Sequence, residues 1–132
     1  MHATQNPSRH SNAVARLAQT HARHMFLYYF LRAQLETPGV IGAEEREAVH
    51  AAAVESRRFG FRMESTAEKA GLMLDGYDEE GLRREAYRAA QVVQTDETAA
   101  REIEERVVTE TAHFALSPYF SVRELDEVPL AA

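Results

Sequence analysis

An apolar seam runs through the segment from Ser11 to Leu35. Apolar or semi-apolar residues recur there every three or four positions, at Val14, Leu17, His21, His24 or Met25, Tyr28, Leu31 and Leu35. This spacing is typical of an α-helix that packs along its whole length. Phe26, Tyr29 and Phe30 widen the apolar surface of its second half. We therefore expect a long first helix that lies at the centre of a bundle or at a partner interface.

The rest of the chain predicts four further helices, at about 43–59, 65–74, 78–93 and 95–116. Gly60 is expected to end the second in a left-handed cap, and Ser65 with Glu68 forms a capping box for the third. No segment alternates at period two over more than a few positions, so no strand is expected. The predicted fold is all-α: a single-domain bundle of about five helices over residues 11–128, with a flexible arm at 1–10 and a tail at 129–132.

Composition narrows the function classes. The chain has 132 residues, which suits one domain, and it has no cysteine. Disulfide frameworks, thiolate metal sites and cysteine nucleophiles are thereby excluded. The most apolar run, Met25 to Leu31, is far shorter than the ~20 residues of a membrane-spanning helix, and the polar start does not match a secretory signal. We expect a cytoplasmic protein without a membrane partner.

Charge is distributed unevenly along the chain. Residues 1–35 contain Arg9, Arg16, Arg23 and Arg32 and no acidic residue, whereas all 21 acidic residues follow and the net charge is −6. A basic helix on an acidic body favours docking between the two, or a charged partner. The arginines are too widely spaced for the dense basic stripe of a nucleic-acid binder, so nucleic acid is not an expected partner.

Two E-x-x-H spacings are the sharpest chemical pattern: Glu47 with His50, and Glu110 with His113. Residues i and i+3 share one helix face, so each carboxylate and imidazole could reach one metal ion together, as in di-iron carboxylate bundles. The remaining ligands of such a site are poorly matched, since the first helix offers His21 and His24 where a glutamate is expected, and Glu85 of the fourth helix is flanked by arginines. Iron or another divalent metal is therefore an alternative, and surface pairs are the favoured interpretation.

No catalytic motif is present. The chain has no Gly-rich phosphate loop, nucleophile elbow or H-E-x-x-H sequence. His21 and His24 fall on the seam of the first helix, where a histidine is more often a half-buried residue with one hydrogen bond than a ligand or base. We expect no catalytic residues and no resident cofactor, and the sequence lends no support to an enzymatic activity.

Large aromatic side chains are numerous for a small helical core. Some of them are expected to form an exposed patch, which would mark a partner surface. The candidates for protein interaction are Phe26, Tyr29, Phe30, Tyr119 and Phe120.

Residues 42–64 carry a further pattern: a Gly-Glu-Glu start at Gly42, Glu44 and Glu45, a helix, Arg57-Arg58-Phe59-Gly60-Phe61, and then Glu64. This segment resembles one in small helical proteins encoded beside type VI secretion spike and tip (PAAR) genes. Those proteins have Arg-Arg-Tyr-Gly-Leu where this chain has Arg57-Arg58-Phe59-Gly60-Phe61. The chain departs from that pattern after Glu64. The resemblance implies a bacterial accessory protein that binds another protein, as adaptor, chaperone or immunity factor, and it implies no catalytic residues.

These observations favour a bacterial helical protein-interaction module of a secretion or toxin system. Two alternatives stay open. One is the metal-binding bundle that uses Glu47, His50, Glu110 and His113. The other is a self-associating structural protein in which the first helix pairs with its copy through Leu17, His21, Tyr28 and Leu35.

Overall fold

A computed structural model describes the backbone of residues 2–74 and 76–130, and the side chains of residues 13–74 and 76–113. It contains four helices over this range: α1 (His2–Glu36), α2 (Ala43–Lys69), α3 (Glu79–Val92) and α4 (Glu97–Leu130). No described residue belongs to a strand, and the all-α class is confirmed. No helix in the described range has an apolar stretch that could cross a lipid bilayer.

Helix α1 is the central element. It packs against α2, α3 and α4, and α3 packs against α4, whereas α2 contacts no helix except α1 in the described part of the chain. The main core lies around α1 and is closed by the α3–α4 pair. Its buried members are Ala22, Met25, Phe26, Tyr28, Tyr29, Ala53, Leu82, Ala86, Ala89, Ala100, Ile103, Val107 and Val108. The long apolar seam therefore marks the bundle centre.

A smaller core lies at the other end of the bundle. It joins Val14 and Ala18 of α1 to Ala67 of α2, to Leu74 in the following loop and to Ala112 of α4. A charged contact also links α1 to the acidic part of the chain, because Arg23 donates to Glu104 at 3.0 Å and to Glu105 at 3.1 Å. The basic first helix thus docks on acidic residues of α4.

Local signals set most helix ends where the sequence predicts them. Thr37 donates through its hydroxyl to the Ala33 carbonyl, and Gly39 has a φ of 81°, so α1 ends before the Thr-Pro-Gly turn. The Asp78 side chain accepts from the Gly81 amide at 3.0 Å and caps α3. Asp96 accepts from the Ala99 amide at the start of α4. Each end satisfies backbone groups that a helix terminus leaves unpaired.

The predicted helix end at Gly60 is wrong, because α2 continues through Gly60 to Lys69. A Cβ atom at Gly60 would lie 2.7 Å from Met25 Sδ of α1, so the residue serves close helix approach inside a continuous helix. The left-handed cap occurs at Gly71 instead, where φ is 84° and the Leu72 amide donates to the Ala67 carbonyl. The second and third predicted helices are therefore one, and the bundle has four helices rather than about five.

Two other bounds differ from the sequence expectation. Helix α1 begins at His2 and includes most of the expected N-terminal arm, and α4 runs past the predicted end near residue 116 to Leu130. The flexibility of residues 1–10 and the domain limits 11–128 stay predictions.

Candidate functional site

The two E-x-x-H pairs lie on helices that do not meet. Glu47 and His50 are exposed on α2, where they line an open groove of about 730 Å³ between α1 and α2. Glu110 and His113 are exposed on α4, and Glu110 accepts from Arg106 at 3.3 Å. In the described part of the chain, α2 and α4 do not contact each other. The structure therefore does not bring the four predicted ligands together.

The other groups considered for the metal site have different partners. His21 is bonded to Glu64, and Glu85 accepts from Arg88 and Arg106. Among the described residues, no three histidine, aspartate or glutamate side chains are grouped so that they could hold a metal ion. Metal binding stays an untested alternative without a site in this part of the chain.

The predicted interaction aromatics divide into two groups. Phe26 and Tyr29 are buried and Phe30 is partly buried against the main core. In this structure Phe26 and Tyr29 are core residues and are not available to a partner. The side chains of Tyr119 and Phe120 lie outside the described residues. A pairing of α1 with its copy through His21 and Tyr28 would need these two buried side chains to be uncovered.

A polar cluster lies between α1 and α2. His21 is 1% exposed, and its Nε2 donates to Glu64 Oε2 at 2.6 Å. The Tyr77 ring meets the His21 ring edge-on at 5.4 Å between centroids. Burial, followed by the charges of Glu79 and Glu64, raises the pKa of Tyr77. His21 makes the expected single hydrogen bond but is buried rather than half-buried, and it acts here as a contact between two helices.

The cluster continues through two tyrosines of α1. The Tyr29 hydroxyl donates to Glu79 Oε2 at 2.5 Å, and burial and this bond raise the pKa of Tyr29 to about 12. The Arg57 guanidinium of α2 lies 4.8 Å from the ring centroids of both Tyr28 and Phe61. Such cation–π contacts hold the α2 arginine against the α1 surface.

One face of α1 stays open. Leu27 is 38% exposed, and Leu17, His24 and Leu31 are half-buried. These four residues recur at helical spacing and so share one side of the helix. Leu31 also packs partly against the main core and Leu17 against the smaller one, so Leu27 is the most open of the four.

Phe59 of α2 extends this open face. Its ring stacks on His24 at a centroid distance of 4.5 Å while 41% of the residue stays exposed. Burial, and secondly the neighbouring His21, lower the pKa of His24, and its Nδ1 has no hydrogen-bond partner among the described residues. A neutral imidazole on an aromatic ring adds to the apolar character of this region. We call Leu17, His24, Leu27, Leu31 and Phe59 together the Leu27–Phe59 surface.

Two open grooves flank the second half of α2. The Phe59 groove, of about 270 Å³, is lined by Leu17, Phe59, Arg62, Met63, Thr66, Ala67, Ala70 and Leu72. The Phe61 groove, of about 340 Å³, is lined by Phe61, Glu64, Ser65, Glu68, Leu72, Met73 and Leu74. Arginine is the charged residue of the first groove, and two glutamates are the charged residues of the second. The Phe59 groove is therefore the more apolar of the two, and the grooves are opposite in charge.

Sequence reasoning missed the exposure of Phe59 and Phe61, because it placed both at a helix end where aromatics fold back. The pattern Arg-Arg-Phe-Gly-Phe-Arg carries a usable signal once Gly60 is helical. Residues i and i+2 of a helix point about 200° apart, so the two rings cannot share the seam that faces α1. One aromatic ring must lie on each side of α2, as observed.

No family model, no curated protein and no solved structure matches this chain. The assignment of a function therefore rests on the side chains and grooves described above.

Proposed function

We propose that this chain is a small helical protein-interaction module that binds its partner through the Leu27–Phe59 surface. The observation that carries this proposal is the exposure of Leu27 and Phe59 on either side of His24. A continuous apolar region that includes an aromatic ring is typical of the centre of a protein interface. Protein binding is thus the function, and the contact lies at exposed neighbours of the buried Phe26 and Tyr29.

Burial of the Leu27–Phe59 surface by a partner would stabilise the complex. Each Å² of apolar surface removed from water contributes about 25 cal/mol, and a phenylalanine ring is among the largest contributors. In the isolated chain, Leu27 and Phe59 keep part of this surface in water. A partner that covers them gains this free energy without rearranging the core, because the main core packs on other sides of α1.

The more specific role is an adaptor, chaperone or immunity factor of a bacterial secretion or toxin system. What supports it is the resemblance of residues 42–64 to accessory proteins encoded beside type VI secretion spike genes. The matched positions Phe59 and Glu64 line the two grooves, and Gly60 makes the close contact with α1. The part of the chain that carries the resemblance is thus the part that carries the exposed aromatics.

The test is binding to the products of genes adjacent to this one. Each product is purified and titrated with the full chain by calorimetry, using the wild type, Leu27→Ser, Phe59→Ser and Arg88→Ala on the remote helix α3. We expect one product to bind, and the two surface variants to weaken the Kd by about tenfold or more, as for residues at an interface centre. Arg88→Ala should bind within about twofold of the wild type.

Circular dichroism melts of each variant separate lost binding from lost folding. If no adjacent product binds, or if folded Leu27→Ser and Phe59→Ser bind like the wild type, the proposed function is wrong.

A further inference from the structure

The side of α2 that borders the Phe59 groove is basic. Arg58, Arg62 and Lys69 are spaced so that they share one side of the helix, and all three are exposed. Glu55 shares this side and pairs with Arg62, whereas Glu64 bonds to His21 and Glu68 lines the Phe61 groove. A chain of net charge −6 therefore presents its exposed aromatic Phe59 beside cations.

Arg62 is the charged residue that lines the Phe59 groove. Its guanidinium lies 5.5 Å from the centre of the Phe59 ring, and its ion pair with Glu55 is long, at 3.7 Å. Both members of that pair are about two-thirds exposed, so the pair is weak and readily exchanged. Arg62 can therefore exchange Glu55 for an incoming carboxylate while its guanidinium stays over the Phe59 ring.

The dimensions of the surface suit a helix. From Leu17 to Leu31, α1 rises by about 21 Å at ~1.5 Å per residue, which is the length of about four helical turns. The apolar residues lie in the angle between α1 and α2, and a helix laid in such a groove presents residues at i, i+3, i+4 and i+7. The described part of the chain has no sheet edge that could bind an extended strand instead.

We infer that the natural partner inserts an acidic amphipathic α-helix along the Leu27–Phe59 surface, with its carboxylates beside Arg62 and the basic side of α2. This inference rests on the proposed function and names the chemistry of the partner. Apolar contacts with Leu27 and Phe59 supply most of the affinity, and the carboxylates set the orientation and exclude basic sequences. Two carboxylates line the Phe61 groove against one arginine beside Phe61, and they repel the same helix, so it binds on the Phe59 side of α2.

Two synthetic peptides test the inference. The first is an 18-residue fluorescein-labelled helix with leucines at i, i+3, i+4 and i+7 and glutamates on both flanks. The second has lysine at every glutamate position. Fluorescence anisotropy with the full chain should show the glutamate peptide binding about tenfold tighter than the lysine peptide.

Phe59 and Phe61 provide a matched pair of variants, since they are two positions apart on one helix and similarly exposed. Phe59→Ser should weaken the glutamate peptide about tenfold, and Phe61→Ser should leave it within about twofold. Arg62→Glu should remove or reverse the preference for glutamate over lysine. Thermal melts check that each variant is folded.

Several results would overturn the inference. These are equal binding of the two peptides, no binding of either at about 1 mM, or equal losses in Phe59→Ser and Phe61→Ser. A concentration-dependent dimer that Phe59→Ser abolishes would show that a second copy occupies the surface instead. If an adjacent gene product binds through Phe59 and Arg62→Glu has no effect, the proposed function stands and the acidic helix is wrong.

Discussion

The two sides of α1 are built differently. Toward α3 and α4, the contact is a broad apolar core that includes Phe26, Ile103 and Val108. Toward α2, the contact uses small residues and a polar pair. The buried residues of α2 are Ala53, Ser56, Gly60 and Ala67, and a buried histidine contributes a polar link across the interface, the His21–Glu64 bond. A 27-residue helix is thus held with little large apolar surface.

This difference shows how one bundle combines stability with an open surface. Large side chains interdigitate on the α3–α4 side, where burial supplies most of the stabilisation. Small residues on the α2 side allow the backbones to approach closely, and the large aromatics of α2 are left on its flanks. Phe59 and Phe61 are exposed because the seam between α1 and α2 has room only for small side chains at Gly60.

The largest effect is expected on the apolar side. Phe26→Ala removes a ring that is 2% exposed, and we expect a loss of about 3–5 kcal/mol in the free energy of unfolding, because a cavity is left in a packed core. Leu27→Ala, the next residue and partly exposed, is the matched control with an expected loss below about 1 kcal/mol. Urea unfolding measures both. Equal losses at 26 and 27 would contradict the assignment of Phe26 to the core.

A smaller effect is expected at the polar contact with α2. His21→Leu leaves the Glu64 carboxylate without its partner, and we expect a loss of about 2 kcal/mol in the free energy of unfolding. The double variant His21→Leu/Glu64→Leu should recover most of this loss, because both polar groups are removed together.

An exposed ion pair of similar length serves as the control for this double-mutant cycle of His21 and Glu64. Arg101 and Glu97 are 2.7 Å apart and both largely exposed, so Arg101→Ala should cost at most about 0.5 kcal/mol. Additive losses in the His21–Glu64 cycle would show that the two groups are not coupled.

The smallest effect concerns Tyr29 of α1, which contacts α3 through Glu79 and α2 through Arg57. Its pKa is raised from 10.0 to about 12, mainly by burial and then by the Glu79 bond. The phenol therefore ionises in the unfolded chain before it ionises in the folded one. Its contribution to stability is complete below pH 10 and is lost as the pH rises from 10 to about 12.

Urea midpoints at pH 9 and pH 11 test this linkage. The urea midpoint of the wild type should be lower at pH 11 than at pH 9. The midpoint of Tyr29→Phe should decrease less over the same range. Phenolate absorbance of the folded protein, compared with the variant, reports the ionisation of Tyr29 directly. An identical pH dependence of wild type and variant would contradict the raised pKa of Tyr29.

Local signals in the sequence were sufficient for the fold class and for the helix ends beside Thr37, Asp78 and Asp96. The Thr37-Pro38-Gly39 turn, the Asp78 cap and the Asp96 cap depend on residues within one turn of the helix end, so they are readable without the fold. The same reasoning failed at Gly60. Whether a glycine ends a helix or lets two helices approach depends on the residue opposite, here Met25, which is distant in sequence.

The candidate site was less predictable than the fold. The sequence indicated that α1 would be central or at a surface, and it named Phe26 and Tyr29 for a surface role. Adjacent residues of one helix point their side chains to different sides of the helix. Whether each side is covered depends on residues from other parts of the chain. The exposure of Leu27 next to buried Phe26 could not be read from their order alone.

The sequence by itself determined a helical chain with a long apolar first helix, because periodicity and caps act over a few residues. The tertiary structure decided which faces of that helix are covered. It placed α2 on one side of α1 and the α3–α4 pair on others, so that His21 meets Glu64 and the E-x-x-H pairs stay apart. It left Leu27 and Phe59 exposed, since packing is a long-range property that no local pattern specifies.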